Sequence, residues 1–172
     1  MKKNQLNRRQ RMLCGFLVLL LSLCSCAALP NGEATGRSKI KQDAETLMYA
    51  VQNEEYDPIV ELFSPYVKTK YPNLKDDIID LMDYIDGDIV SYGHMVFDSM
   101  GGSSTEEGWV EKKLEGTIYD IVTSNNKTYA IIFGGYYINK EEPDKVGTRY
   151  ISIFNVSDGN IQVHNGKSIY YE

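Results

Sequence analysis

The chain has 172 residues, of which 42% are hydrophobic and 24% are charged. This composition suits one globular domain and excludes a disordered chain or a multidomain assembly. Because 24 Asp and Glu residues outnumber 18 Lys and Arg residues, the formal net charge is −6. That balance excludes a basic nucleic-acid-binding protein, and we expect no nucleic-acid partner.

The first 25 residues have the three-part layout of an export signal. An apolar run over residues 12–23 precedes the small residue Ser25 and then Cys26. The run holds about a dozen residues, whereas a helix needs roughly 20 to cross a membrane, so we predict a cleaved signal over residues 1–25. The basic residues that precede the run are Lys2, Lys3, Arg8, Arg9 and Arg11.

The segment Leu23-Cys24-Ser25-Cys26 resembles a bacterial lipobox, although Cys24 departs from its usual second position. The resemblance implies lipid attachment at Cys26 and export to the outer side of a bacterial cell membrane. The alternative is ordinary signal cleavage after Ala28.

Cysteine usage agrees with the predicted export. Cys14, Cys24 and Cys26 are the three cysteines, so a chain that begins at Cys26 has no disulfide and no thiol chemistry beyond the lipid site. Its stability must come from a hydrophobic core. Without the five basic residues of the signal its net charge is −11, which anionic lipid repels. The membrane is therefore expected as a partner only through the lipid anchor.

Residues 26–37 carry two glycines and a proline without an apolar period, and we predict a lipidated tether there. A single α+β domain is predicted over residues 38–172. Apolar residues at helical spacing predict helices over residues 38–53, 57–63 and 74–85. Ser38 is placed to cap the first helix, Ser64-Pro65 ends the second and Gly87 stops the third.

After Gly87 the apolar period changes from 3.6 to 2, which predicts antiparallel strands behind the helices. Tight turns are predicted at Asn125-Asn126 and Asp158-Gly159, and mobile loops over residues 99–108 and 139–147. The predicted strands cover residues 89–97, 109–123, 129–138, 148–156 and 161–163.

Two further features concern the shape of the sheet. Glycines inside strands, Gly116 and Gly134-Gly135, predict bulges or sharp bends and hence a strongly bent sheet. The alternation in the second strand predicts that one face meets the helices. Its residues are Val110, Leu114, Ile118 and Val122.

Three segments resemble an uncharacterised family of small Gram-positive lipoproteins, domain of unknown function 5104. They are LFS at 62–64, LKDDIIDLMDYIDGDIVSY at 74–92 and GTRYISIF at 147–154. The helix, turn and short helix over residues 50–64 also resemble the cystatin-like, nuclear-transport-factor-2-like fold, in which helices pack inside a cone-shaped sheet. The resemblance covers residues 38–160 and implies a fold and an envelope location, but no active-site residues.

Few residues indicate chemistry. The densest acidic cluster lacks the spacing of a calcium loop, and most of it is expected on a solvated helix face. His94 and His164 accompany no nucleophile elbow and no zinc spacing, so no catalytic residue, cofactor or metal is predicted. The acidic cluster consists of Asp76, Asp77, Asp80, Asp83, Asp86 and Asp88.

The 13 tyrosines are the more informative feature. Strand tyrosines suit stacking on sugars or gripping a peptide, and we select Tyr119, Tyr136 and Tyr150 as candidate ligand-binding residues. Strand propensity alone could also place tyrosine there.

Two classes of function follow. One is a non-catalytic, lipid-tethered domain that binds an envelope protein, a glycan or a small molecule. The alternative is a pocket enzyme of isomerase or dehydratase type on the same fold. An enzyme should place His94, Asp98 or another titratable group in a deep apolar pocket.

Overall fold

A computed structural model describes residues 32–157 and 166–172. The predicted signal, Cys26, the strand over residues 161–163, the turn at Asp158-Gly159 and His164 lie outside this range. In the described part, four helices precede six strands. The helices are α1 (Gly32–Gln52), α2 (Tyr56–Leu62), α3 (Pro65–Lys70) and α4 (Leu74–Met82). The strands are β1 (Ile89–Ser91), β2 (Met95–Thr105), β3 (Gly108–Thr123), β4 (Thr128–Asn139), β5 (Gly147–Asn155) and β6 (Gly166–Tyr170).

The six strands form one antiparallel sheet. Its order is β1-β3-β4-β5-β6, and β2 also pairs with β3. The predicted class, α+β with helices before an antiparallel sheet, is confirmed. Within the described residues, no helix has the length and apolar character needed to span a membrane.

The core lies between the helices and one face of the sheet. Helix residues such as Leu47 and Ile78 and strand residues such as Phe133 are fully buried in the same apolar cluster. The residues of β5 alternate, because Ile151 and Ile153 are buried while the neighbouring Tyr150 and Ser152 are only partly buried. Tyr150 and Ser152 therefore belong to the opposite face, which we call the outer face.

Helix α1 begins at Gly32, six residues before the predicted start, so residues 32–37 of the predicted tether are helical. Ser38 lies exposed inside the helix instead of capping it. Gly36 is buried, and a Cβ there would lie 3.3 Å from Leu114 Cδ1. Packing against β3 therefore overrides the low helix propensity of glycine.

The sequence Ser64-Pro65 ends α2 as predicted, but it also starts α3, which was not predicted. The Ser64 hydroxyl accepts a hydrogen bond from the Val67 N–H at 3.2 Å, and Pro65 occupies the first turn. Both residues are typical of a helix start. Helix α4 ends at Met82, three residues earlier than predicted, and a turn leads to Gly87 at φ +94°.

The strand predicted over residues 89–97 is divided between β1 and β2 in the structure. The mobile loop predicted over residues 99–108 is wrong. Strand β2 runs through Gly101 and Gly102 and pairs with β3 as far as Gly108. Both glycines have positive φ, and the pairing shifts between Ser99 and Gly101. Glycine here shapes an irregular strand instead of ending it.

Strand β3 changes face near its end. Leu114 and Ile118 are buried as predicted, but Ile121 and Thr123 are buried in place of Val122. Asp120 has φ +55°, and the pairing with β4 shifts between Ile118 and Ile121. This bulge moves the alternation by one residue, so the predicted position of Val122 is wrong.

The glycine predictions had mixed outcomes. Pairing between β4 and β5 shifts at Gly134-Gly135, as predicted. Gly116 pairs regularly, so the predicted bulge there is wrong. A Cβ at Gly116 would lie only 2.6 Å from the Phe133 ring.

Asn126 has φ +56°, which confirms the predicted turn at Asn125-Asn126. Strand β6 was not predicted, and a 3-10 turn (Pro143–Lys145) lies in the predicted loop over residues 139–147.

Candidate functional site

The outer face of the sheet carries a cleft of about 340 Å³. It lies across β2, β3, β4, β5 and β6, where two of the predicted tyrosines come together. The residues that line it are Met100, Lys113, Leu114, Glu115, Gly135, Tyr136, Arg149, Tyr150 and Tyr170.

Tyr150 of the cleft has room for its ring because Gly134 has no side chain. Gly134 pairs with Glu115 on β3 and with Tyr150 on β5, so the three residues form one row. The Tyr150 ring crosses above Gly134, and its hydroxyl donates to Glu115 Oε2 at 2.5 Å. A Cβ at Gly134 would lie 2.5 Å from the Tyr150 hydroxyl and would displace the ring.

Tyr150 keeps its proton across the physiological pH range. Burial raises the pKa of Tyr150 above its ordinary value, and the hydrogen bond to Glu115 raises it further. The protonated phenol therefore donates a hydrogen bond to one carboxylate oxygen of Glu115.

Two cations lie close to the Tyr136 ring. Lys113 Nζ lies 4.8 Å and Arg149 Cζ 5.3 Å from its centroid. Arg149 Cζ is also 5.7 Å from the centroid of the Tyr170 ring, which is 63% exposed. Hydrogen bonding to Tyr136 raises the pKa of Lys113 despite partial burial, so its ammonium stays charged. Tyr136 thus offers an aromatic surface next to fixed positive charge.

Arg149 is oriented by the backbone of the chain end. Its Nε donates to the Tyr171 carbonyl oxygen at 3.0 Å. Among the described residues, no carboxylate pairs with the Arg149 guanidinium. Lys113 lies 3.3 Å from a carboxylate oxygen of Glu111. Arg149 therefore holds hydrogen-bond donors that the described residues leave unused.

The structure separates Tyr119 from the other two predicted tyrosines. Tyr119 stacks on His94, with ring centroids 4.8 Å apart and planes 13° apart. The His94 side chain is 66% exposed, and its Nδ1 lies 3.7 Å from Asp120 Oδ2. His94 thus lies on the surface, outside the cleft.

Asp98 is also exposed, and it lines a second cavity of about 500 Å³ together with Phe97 and Trp109. The titratable residues chosen to recognise an enzyme pocket, His94 and Asp98, therefore lie apart from the tyrosine cleft. The cleft has its own titratable residue in Glu115.

Much of the acidic cluster has structural partners. Asp77 accepts from the Tyr171 hydroxyl at 2.6 Å, and Asp80 pairs with Lys167 at 2.6 Å. Asp86 accepts from Asn125 and Lys127, which lowers its pKa. Asp76, Asp83 and Asp88 are exposed. In the described parts of the chain, no three His, Cys, Asp or Glu side chains are arranged to hold a metal ion.

The signals for most cleft residues were not recognised in the sequence. Lys113, Arg149 and Tyr170 lie on three different strands, and only the pairing of those strands brings them together. A signal was present in Gly134-Gly135, because a glycine pair inside a strand often marks a close approach by another group.

The fold and the cleft define an α+β domain with an aromatic and cationic surface site. The chain belongs to the family described as Domain of unknown function (DUF5104), whose model matches residues 46–162. The match includes every cleft residue except Tyr170. No curated protein matches the chain.

Proposed function

We propose that this protein is a non-catalytic binding domain, exported and held on the outer side of a bacterial membrane by lipid on Cys26. The outer-face cleft is the observation that carries the binding role. Its volume of about 340 Å³ falls within the range of about 300 to 1,000 Å³ typical of small-molecule sites.

The cleft has the properties of a recognition site. Tyr136 and Tyr150 provide rigid aromatic walls, and rigid rings bind partners with little loss of conformational entropy. Tyr150 and Gly134 are fixed by the hydrogen bond to Glu115 and by strand pairing. A small molecule, a glycan unit or a side chain of an envelope partner fits such a cleft.

The membrane location rests on the sequence of the signal and on charge. An acidic domain has no electrostatic attraction to anionic lipid, so acylation of Cys26 supplies the attachment in this proposal. The order of helices before an antiparallel sheet supports the finer proposal of a cystatin-like, nuclear-transport-factor-2-like fold.

Ligand binding is tested by saturation-transfer NMR of the full chain in detergent against a mixed set of neutral and charged sugars and aromatic compounds. We expect binding that Tyr136→Ala and Tyr150→Phe weaken. Tyr119→Ala is the matched control, because Tyr119 is also a strand tyrosine but lies outside the cleft. Equal loss in the control, or chemical conversion of a bound compound, would contradict the proposal.

Lipidation is tested by mass spectrometry of the mature N-terminus. We expect a diacylated Cys26, and Cys26→Ala should leave the precursor uncleaved or release the domain. A mature chain that starts at Leu29 without lipid would refute the anchor while leaving the binding role intact.

A further inference from the structure

We infer that the cleft selects a ligand that carries one carboxylate next to a six-membered ring, aromatic or pyranose, with Arg149 and Lys113 binding the carboxylate and Tyr136 packing on the ring. This inference rests on the proposed binding function and specifies its ligand.

The first argument is the state of Arg149. The chain is acidic overall, with 24 acidic against 18 basic Lys and Arg residues, yet no carboxylate in the described residues pairs with this half-buried arginine. The Arg149 Nε–H donates to the Tyr171 carbonyl oxygen at 3.0 Å. The two terminal nitrogens form a planar pair of donors, which matches the geometry of a carboxylate.

The second argument is the position of the two cations relative to Tyr136. Lys113 Nζ and Arg149 Cζ lie 4.8 Å and 5.3 Å from the same ring centroid. An anionic group bound by these cations would lie beside the ring. The rest of the ligand would then contact the half-buried Tyr136 ring and the exposed Tyr170 ring, which favour an aromatic or pyranose face.

The third argument is charge balance, which favours a monoanion. A carboxylate oxygen of Glu111 already lies 3.3 Å from Lys113 Nζ. Glu115 also lines the cleft and accepts a hydrogen bond from the Tyr150 hydroxyl at 2.5 Å. A dianionic phosphate would be repelled by both carboxylates. A single carboxylate gains the Arg149 donors at lower electrostatic cost.

The test compares acids with neutral counterparts by isothermal titration calorimetry of the full chain in detergent. D-glucuronate is paired with D-glucose, and benzoate with benzyl alcohol, so the two pairs distinguish an acidic sugar from an aromatic acid. We expect the acid of at least one pair to bind about tenfold more tightly than its neutral partner, because charge-assisted hydrogen bonds are the stronger ones.

Variants identify the groups responsible. Arg149→Gln and Lys113→Gln should reduce the acid to the affinity of its neutral partner. Lys70→Gln is the matched control, because Lys70 also lies over tyrosine rings, at 5.1 Å from Tyr66, but outside the cleft. Acid preference that survives both cleft substitutions would overturn the inference.

A further measurement needs no variant. Raising the ionic strength should weaken binding of the acid and leave its neutral partner unchanged. Equal binding of acid and neutral compounds, or no binding of either acid, overturns the carboxylate inference. Binding of a neutral compound in the mixed set would still support the proposed binding function.

Discussion

The hydroxyl of Thr123 is a buried polar group at the end of β3. Thr123 is 1% exposed, and its Oγ1 has no hydrogen-bond partner in the part of the chain that the structure describes. We predict that Thr123→Val raises the free energy of unfolding by up to about 1 kcal/mol, because it removes an unsatisfied group while keeping the shape. Urea denaturation measures this change, and a loss of stability instead would reveal a partner for the hydroxyl.

The cleft also shows which residues sequence patterns can predict. Tyr136 and Tyr150 were found because aromatic residues on strands are conspicuous. Because side chains alternate along a strand, the sequence alone would place Arg149 on the core side and its neighbour Tyr150 on the outer side. The register shift opposite Gly134-Gly135 brings both residues to the cleft. Such a shift depends on a neighbouring strand, so a local pattern could not predict it.

At the scale of elements, the start of α3 depends on one side chain. Ser64 is buried, and its hydroxyl accepts from the Val67 N–H at 3.2 Å. We predict that Ser64→Ala lowers the free energy of unfolding by about 1 kcal/mol, as loss of a helix cap commonly does. Thermal denaturation checks this value, with Ser64→Thr as the variant that keeps a capping hydroxyl without adding a buried charge. Full stability of the alanine variant would contradict the capping role.

Helix α4 allows a paired test of its two faces. Ile78 is fully buried, whereas Asp80 is exposed and pairs with Lys167 at 2.6 Å. We predict that Ile78→Asp unfolds the domain, because an unpaired buried charge costs several kcal/mol against a total stability of about 5 to 15 kcal/mol. Asp80→Ala should cost less than about 1 kcal/mol, as exposed ion pairs do. Circular dichroism melts would contradict this assignment if both variants were equally stable.

Elements with strong local signals were predicted, and those that depend on tertiary contacts were missed. The predicted 109–123 and 129–138 strands agree with β3 and β4 to within a residue at each end. By contrast, β2 continues through Gly101 and Gly102, where β3 supplies the pairing partner. The start of α1 was missed for the same reason, since Gly36 packs on β3.

At the scale of the whole molecule, three tyrosine-to-carboxylate hydrogen bonds between described residues connect different elements. Tyr137 donates to Asp43 at 3.0 Å, joining β4 to α1. Tyr171 donates to Asp77 of α4 at 2.6 Å, and Tyr150 joins β5 to β3. Burial and the nearby carboxylate raise the pKa of each of these phenols.

These raised pKa values predict a loss of stability at alkaline pH. An unfolded tyrosine loses its proton near pH 10, whereas the three folded phenols keep theirs. Unfolding therefore releases protons, and the free energy of unfolding should fall as pH rises above about 10. Urea denaturation over this range measures the slope. Tyr171→Phe should make the slope shallower, and a slope unchanged by that substitution would refute its contribution.

The order of the sheet has a consequence for how fast the chain finds its structure. From β2 onward, each strand pairs with the strand that follows it, and the turn over residues 124–127 joins β3 to β4 directly. Such short loops close with little loss of chain entropy. Docking of the helices requires a much longer closure, seen where Ser64 N–H donates to the Thr148 carbonyl at 3.3 Å. We therefore expect the hairpins to form first, and the search that brings the α2–α3 junction onto β5 to limit the rate of folding.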